Sequence, residues 1–183
     1  MDRISKDQEE SKSLDIETLD FVTPFIASGK DDEYMRCDIL SHNRCKVALD
    51  IERPTKQVIV VRDDLNMRKG KMGAQVGHAV SGFLHEIIDT GRLYTHAEHQ
   101  WCTQDRRKKV ILAVNSEADL LEIVQESQNA GITTHLVTDS GLTEFHGVPT
   151  RTCVAIGPDY SDKMESFLGK ESPMWVSGRL RLY

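Results

Sequence analysis

Two short stretches hold the side chains that could do chemistry. The first is Arg62-Asp63-Asp64-Leu65-Asn66-Met67-Arg68-Lys69-Gly70-Lys71-Met72-Gly73-Ala74-Gln75-Val76-Gly77-His78-Ala79. Lys71, Gln75 and His78 stand there at i, i+4 and i+7. A helix would bring them to one face, away from the apolar one. A lysine in a first helical turn opposes the positive end of the helix dipole, at about 0.3–1 kcal/mol. A cation kept there suits an anionic partner such as a phosphate or a developing oxyanion. The same spacing also fits a plain solvated face. Gly70-Lys71 is not a G-x-x-x-x-G-K-[ST] phosphate loop, because that spacing is missing and Met72 stands where the hydroxyl belongs.

The second stretch is Thr138-Asp139-Ser140-Gly141-Leu142-Thr143, with Thr150 and Thr152 beyond it. A carboxylate beside hydroxyls can orient a water or take a proton. The same residues equally make an Asx turn, with the Asp bonding its own backbone and the Gly supplying the bend. Two further patterns resemble metal sites: Cys37, His42 and Cys45, and His96, His99 and Cys102. Neither offers the four ligands of a structural zinc site. Surface His and buried Cys are the ordinary reading, so no metal and no cofactor are expected.

The elements that must position these residues follow from apolar periodicity. Val58, Ile59, Val60 and Val61 form a continuous β-branched run, which suits a strand buried on both faces. Over 69–89, Met72, Val76, Ala79, Val80, Phe83, Leu84, Ile87 and Ile88 recur at helical spacing, with Gly91 as the stop. Residues 92–106 read as a connection or a second short helix. A strand is expected over 110–114. A helix then starts at an N-cap Ser116, with Asp119 completing a capping-box pattern, and ends near Gly131. Strands are expected over 132–138 and 152–156, a short helix over 162–168, and an extended segment at 180–183. Long helical crossovers between buried strands predict an α/β sheet covered on both faces. Both chemical stretches directly follow strands, and ligands bind at strand carboxyl ends in such sheets.

Composition bounds the rest. The chain has 183 residues, 39% apolar and 28% charged, which fits one domain with an appendage. Twelve Gly and five Pro exclude a collagen-like or low-complexity chain. No apolar run reaches the ~18 residues of a membrane span, and the polar start MDRISKDQEESKS is no secretory signal. Four Cys are too sparse for a disulfide framework. A soluble, cytoplasmic protein with reduced thiols is the expectation. The net charge of −6 excludes a strongly basic domain that coats DNA or tRNA, but not a local basic patch. Most of the acidity lies in the first third. Residues 1–56 therefore read as an acidic N-terminal extension without an assignable function, Pro54 as a hinge, and 57–183 as the main domain.

Taken together, the two stretches resemble the type-2 peptidyl-tRNA hydrolase family. The resemblance rests on V-V-R-D-D-L-N-M-R-K-G-K-M-G-A-Q-V-G-H-A at 60–79, T-D-S-G-L-T at 138–143, T-C-V-A-I-G-P at 152–158 and the closing G-R-L-R-L-Y at 178–183. These motifs fall in the family's order across about 57–183. The resemblance implies a three-layer α/β/α sandwich over a four-stranded mixed sheet. It implies hydrolysis of the ester joining a peptide, or a blocked amino acid, to the terminal ribose of tRNA, without a metal. Carried over residue by residue, the catalytic set is Lys71, Asp139, Thr143 and Thr152, and Gln75 and His78 match the helix motif. Asp139 could orient and polarise water. Lys71 could pair with Asp139, or contact the oxyanion or the terminal phosphate. Thr143 and Thr152 could hold water or ribose hydroxyls. A homodimer is a fair expectation for the family.

An acidic protein can still bind tRNA through patches. Arg68 and Lys69, beside Lys71, are favoured over the run Arg106, Arg107, Lys108 and Lys109, which also reads as a solvated strand entry. A segment near 170–177, residues 92–107 and the length of 139–156 depart from the family pattern. A non-catalytic tRNA- or protein-binding homologue on the same fold is the competing reading, and a nucleotide-binding protein is weakened by the missing phosphate loop.

Overall fold

The computed structural model describes residues 53–103 and 106–183. Residues 1–52 of the expected extension over 1–56, with Cys37, His42 and Cys45, lie outside the described residues. Among the described residues ten elements follow in the order β1 (Thr55–Arg62), α1 (Lys69–Thr90), α2 (His96–Thr103), β2 (Lys109–Val114), α3 (Glu117–Asn129), β3 (Thr134–Asp139), β4 (Thr150–Tyr160), α4 (Ser161–Leu168), α5 (Pro173–Val176) and β5 (Arg181–Leu182). The strands form one mixed sheet in the order β3-β4-β1-β2-β5. β1 runs parallel to β2 and antiparallel to β4, and β4 is antiparallel to β3. The carboxyl ends of β1, β2 and β3 therefore share one edge of the sheet.

The sheet has five strands, where the family resemblance implies four. The added strand is the closing Arg181–Leu182, expected only as an extended segment, which pairs antiparallel with Ala113 and Leu112. A two-residue edge strand is specified by its partner, so no local pattern announces it. β4 is also longer than its apolar run of 152–156. It continues through Gly157-Pro158, beside an irregularity in β1 between Lys56 and Val58. Breakers of this kind are tolerated in strands at such bulges.

Alternation along β1 divides the core. Val58 and Val60 join a cluster with Leu120, Ile123, Met164 and Leu168 of α3 and α4. Ile59 and Val61 join Ala79, Met72, Val76 and Val80 of α1. Both faces of the strand are dry, which is why it reads as an unbroken β-branched run. α1 ends as expected, with Gly91 in the left-handed conformation at φ 68°. Ile88, near that end, is exposed and takes no part in the apolar stripe. At α3 the Asp119 backbone N donates to Ser116 Oγ at 3.1 Å. The return arm of the expected capping box differs: Asp119 accepts from the Ser116 hydroxyl, at 2.7 Å, and from Arg179.

The segment 92–106 contains α2, and a true capping box starts it. Glu98 N donates to Thr95 Oγ1 at 3.1 Å and Thr95 N donates to Glu98 Oε2 at 2.9 Å. The fully buried Glu98 carboxylate is neutralised by both terminal nitrogens of Arg92, each at 2.8 Å. His96 meets the Tyr160 hydroxyl, and burial lowers the His99 pKa. Among the described residues no group of three His, Cys, Asp or Glu side chains is placed to hold a metal ion, and no helix is long and apolar enough to cross a membrane.

Candidate active site

Lys71 sits in the first turn of α1, at the edge where β1 and β3 end. Asp139 is the last residue of β3. Lys71 Nζ donates to Asp139 Oδ2 across a sequence separation of 68 residues, and to Thr143 Oγ1 at 2.9 Å across 72. The Lys71 and Asp139 side chains are 12% and 11% exposed, so the pair is largely withdrawn from solvent yet still reachable. Two further donors converge on the carboxylate: Gln75 Nε2 at 3.0 Å on Oδ2 and Gly141 N at 2.9 Å on Oδ1. The Lys71 hydrogen bond is the largest cause holding the Asp139 carboxyl below its usual pKa, and the Gly141 and Gln75 bonds act in the same direction against the cost of burial.

Gln75 is the link between the two strands. It is buried, and its Oε1 accepts the Thr152 hydroxyl at 2.9 Å while its Nε2 serves Asp139. This sets the amide orientation and leaves neither end idle. Thr152 itself has no exposed surface. The pairing of β3 with β4 shifts register between Val137 and Thr138, and Thr152 is the residue it skips. This bulge lets two successive residues of β4 reach the same helix residue, since the Cys153 thiol also lies 3.4 Å from the Gln75 carbonyl. Burial pushes the Cys153 thiol up to about 12, which makes it inert packing.

His78 and Lys69 do not join this cluster. His78 is exposed, because it is turned about 60° from Gln75 around the helix. Lys69 is the first residue of α1 and is exposed. Arg68 lies at the rim, where a cavity of about 430 Å³ is lined by Arg68, Gly70, Lys71, Thr143 and Glu144. Glu144 was not legible as a site residue. Its only signal in the sequence is adjacency to Thr143.

Gly141 shapes the loop that carries Thr143. Its φ is +82°, and a Cβ there would lie 2.3 Å from the Val148 oxygen and 2.7 Å from the Val148 carbonyl carbon. Its carbonyl accepts from Phe145 N and Gly147 N, at 3.1 and 3.0 Å. Gly141→Ala should therefore displace Thr143 and the Gly141 N–H together. A loss of roughly 100-fold in turnover is expected, as for a misplacement of about 1 Å near a reacting centre. The melting temperature should fall with it. Wild-type turnover in this variant would show that the loop is not held through Gly141.

The basic run takes a different place. Lys109 pairs with Gln57 at the start of β1, whereas Arg62 pairs with Val114 at its end. The run therefore sits at the opposite edge of the sheet, roughly 16 Å from the Lys71 edge. Lys109 Nζ lies 4.6 Å from the Trp101 ring centroid, and Arg107 Nε donates to the Cys102 carbonyl at 3.3 Å.

The chain is similar to peptidyl-tRNA hydrolases of three archaea. It is 37% identical over 114 residues to that of Methanocaldococcus jannaschii, covering 62% of this chain and 95% of the relative. It is 41% identical over 117 residues to that of Haloquadratum walsbyi, covering 64% and 97%. It is 42% identical over 115 residues to that of Methanothermobacter thermautotrophicus, covering 62% and 95%. The family model described as peptidyl-tRNA hydrolase PTH2 matches residues 55–172, the span that holds every member of the Lys71, Gln75, Asp139, Thr143 and Thr152 cluster. The chain belongs to the type-2 peptidyl-tRNA hydrolase family.

Proposed function

We propose that this chain hydrolyses the ester between a peptide, or a blocked amino acid, and the terminal ribose of tRNA, at the centre built from Lys71, Asp139 and Thr143. The observation that carries this reading is the convergence of the Asp139 carboxylate and the Thr143 hydroxyl on the Lys71 ammonium from two distant parts of the chain, beside a cavity that Lys71 and Thr143 line.

Each group has a task consistent with its surroundings. A carboxylate held by three donors and kept below its usual pKa is a weak base, so Asp139 orients the attacking water and polarises it. An ammonium has three protons. Two of those on Lys71 go to Asp139 and Thr143, and the third faces the developing oxyanion or a phosphate. Thr143 accepts from Lys71, so its own proton can be given to the water or to a ribose oxygen. Water oxygen attacks the ester carbon as its proton passes by way of the Thr143 hydroxyl to the ribose oxygen, and the tetrahedral oxyanion then collapses with cleavage of the bond from carbon to ribose oxygen, leaving a carboxylic acid on the peptide and a free ribose hydroxyl. Gln75 and Thr152 act from behind, by fixing Asp139. Arg68 and Lys69 supply phosphate contacts at the rim, and His78 lies further along the same helix for a more distant part of the substrate.

The wider reading is a three-layer α/β/α domain, supported by the two apolar clusters on opposite faces of β1. It is a metal-independent, cytoplasmic enzyme that can work as a homodimer, which sedimentation tests. The decisive assay is release of free tRNA from a defined N-blocked aminoacyl-tRNA by the purified chain. Binding without release would favour the non-catalytic homologue instead. Phosphate contacts also require that kcat/KM fall as salt rises, with a slope of log kcat/KM against log salt near −0.7 for each contact on single-stranded ends. A rate constant indifferent to salt would remove Arg68 and Lys69 from the substrate site.

A further inference from the structure

Arg68 and Glu144 face one another at the mouth of the cavity that holds Lys71 and Thr143. The Glu144 carboxylate takes Arg68 Nε at 2.6 Å and lies 3.4 Å from the Arg68 backbone nitrogen. The two Nη nitrogens of Arg68 have no hydrogen-bond partner among the described residues. Exposure is just as unequal: the Arg68 side chain is 79% exposed, Glu144 only 13%. An ion pair with so exposed a partner adds little to stability. A carboxylate beside a cavity meant for a polyanion also repels that polyanion, so stability and bulk charge both leave Glu144 unexplained.

The guanidinium geometry supplies an explanation. Arg carries its five N–H groups in one rigid plane, so fixing Nε fixes the direction of the Nη pair. That pair is the fork that binds phosphate bidentately. We propose that Glu144 is a positioning residue: it holds Arg68 through Nε so that the Nη pair is presented at the cavity mouth to a phosphate of the tRNA acceptor end. Arg68 precedes Lys71 by three residues, a rise of roughly 5 Å along the helix. The phosphate it takes therefore lies close to the ester-bearing ribose. Glu144 follows Thr143 directly, so the same ion pair ties the Thr143 loop to the start of α1. This inference rests on the hydrolase reading and adds to it a residue that selects for a correctly placed phosphate.

The test uses the full chain and a defined N-blocked aminoacyl-tRNA, with kcat, KM and their salt dependence measured beside the melting temperature. Arg68→Ala should raise KM roughly tenfold, as expected for one charge-assisted hydrogen-bonded contact. Its salt slope should shrink by about 0.7. Glu144→Ala should raise KM roughly threefold, with a smaller fall in kcat from the loosened Thr143 loop. Glu144→Gln should restore most of that, because an amide oxygen still accepts from Nε. Arg68→Lys should not restore binding, since an ammonium has no fork. The double variant Arg68→Ala, Glu144→Ala should be no worse than Arg68→Ala alone. A lower KM in Glu144→Ala would mean that the carboxylate only repels, and additive losses would mean that the two residues act independently. Either result overturns the inference while the wild-type hydrolase activity stands. A wild-type chain that releases no tRNA overturns the hydrolase reading, and this inference with it.

Discussion

Asp139→Asn is expected to lower the single-turnover release of tRNA from a blocked aminoacyl-tRNA by roughly 1000-fold, within the range found when one positioned acid–base or electrostatic group is removed. The substitution keeps the size of the side chain and an acceptor for Gly141 N, so the loop stays in place. It removes the charge proposed to orient water, and it leaves the Lys71 ammonium beside a neutral amide in a site that is mostly closed to solvent. The effect should fall on kcat, with KM little changed, because Asp139 makes no contact that favours a polyanion. The melting temperature should move by a few degrees at most. A rate within about threefold of wild type would falsify the assignment of Asp139 to the reacting centre.

The second large effect is expected from Lys71→Ala, and it has a pH signature. Lys71 is the largest single cause of the lowered Asp139 pKa. Without it, burial acts on the carboxyl with only Gln75 and Gly141 opposing, and the pKa rises. The acid limb of kcat/KM should then move to higher pH, on top of a fall of roughly 100-fold or more from loss of the proposed oxyanion partner. Stability should show the same linkage. In the wild type the folded-state pKa of Asp139 is depressed, so its contribution is complete above the ordinary carboxylate value of about 3.9. That contribution is lost as pH falls through the lowered folded value. In Lys71→Ala that window closes, so the variant should lose less stability than wild type between neutral and acidic pH. Parallel acid-denaturation curves for the two proteins would show that the pair does not set the Asp139 ionisation. Lys71→Arg serves as a control: it keeps a cation but not the compact geometry, and should recover the acid limb better than the rate.

Much of the scaffold was readable without coordinates because its causes are local. β1 is buried on both faces and spells this out as consecutive β-branched residues. α1 shows its period and its Gly91 stop, and α3 begins at a serine that accepts a backbone hydrogen bond. The pair of motifs around Lys71 and Asp139 was legible for a different reason. They follow strands, where a sheet of this kind exposes its ligand edge, but residue types alone also fitted a solvated face and an Asx turn, and only the resemblance to a family of hydrolases joined the two. The count of strands was not legible, since β5 exists only through pairing with Leu112 and Ala113. Nor was the far placement of the Arg106 to Lys109 run, which depends on β2 lying parallel to β1.

The sequence by itself determined which side chains were available for chemistry and which of the longer segments would be helix or strand, because both are written within a few residues of one another. The tertiary structure decided what those side chains became. It turned Gln75 from a residue on a polar helix face into a buried bridge from Thr152 to Asp139. It left His78 in solvent and set Glu144 against Arg68. These outcomes depend on a β-bulge, a few tens of degrees of helix rotation and a loop bent back at Gly141. Such geometry arises only when α1 docks on the sheet. Contacts between residues some seventy positions apart are products of that docking, and no local pattern of residue types encodes them.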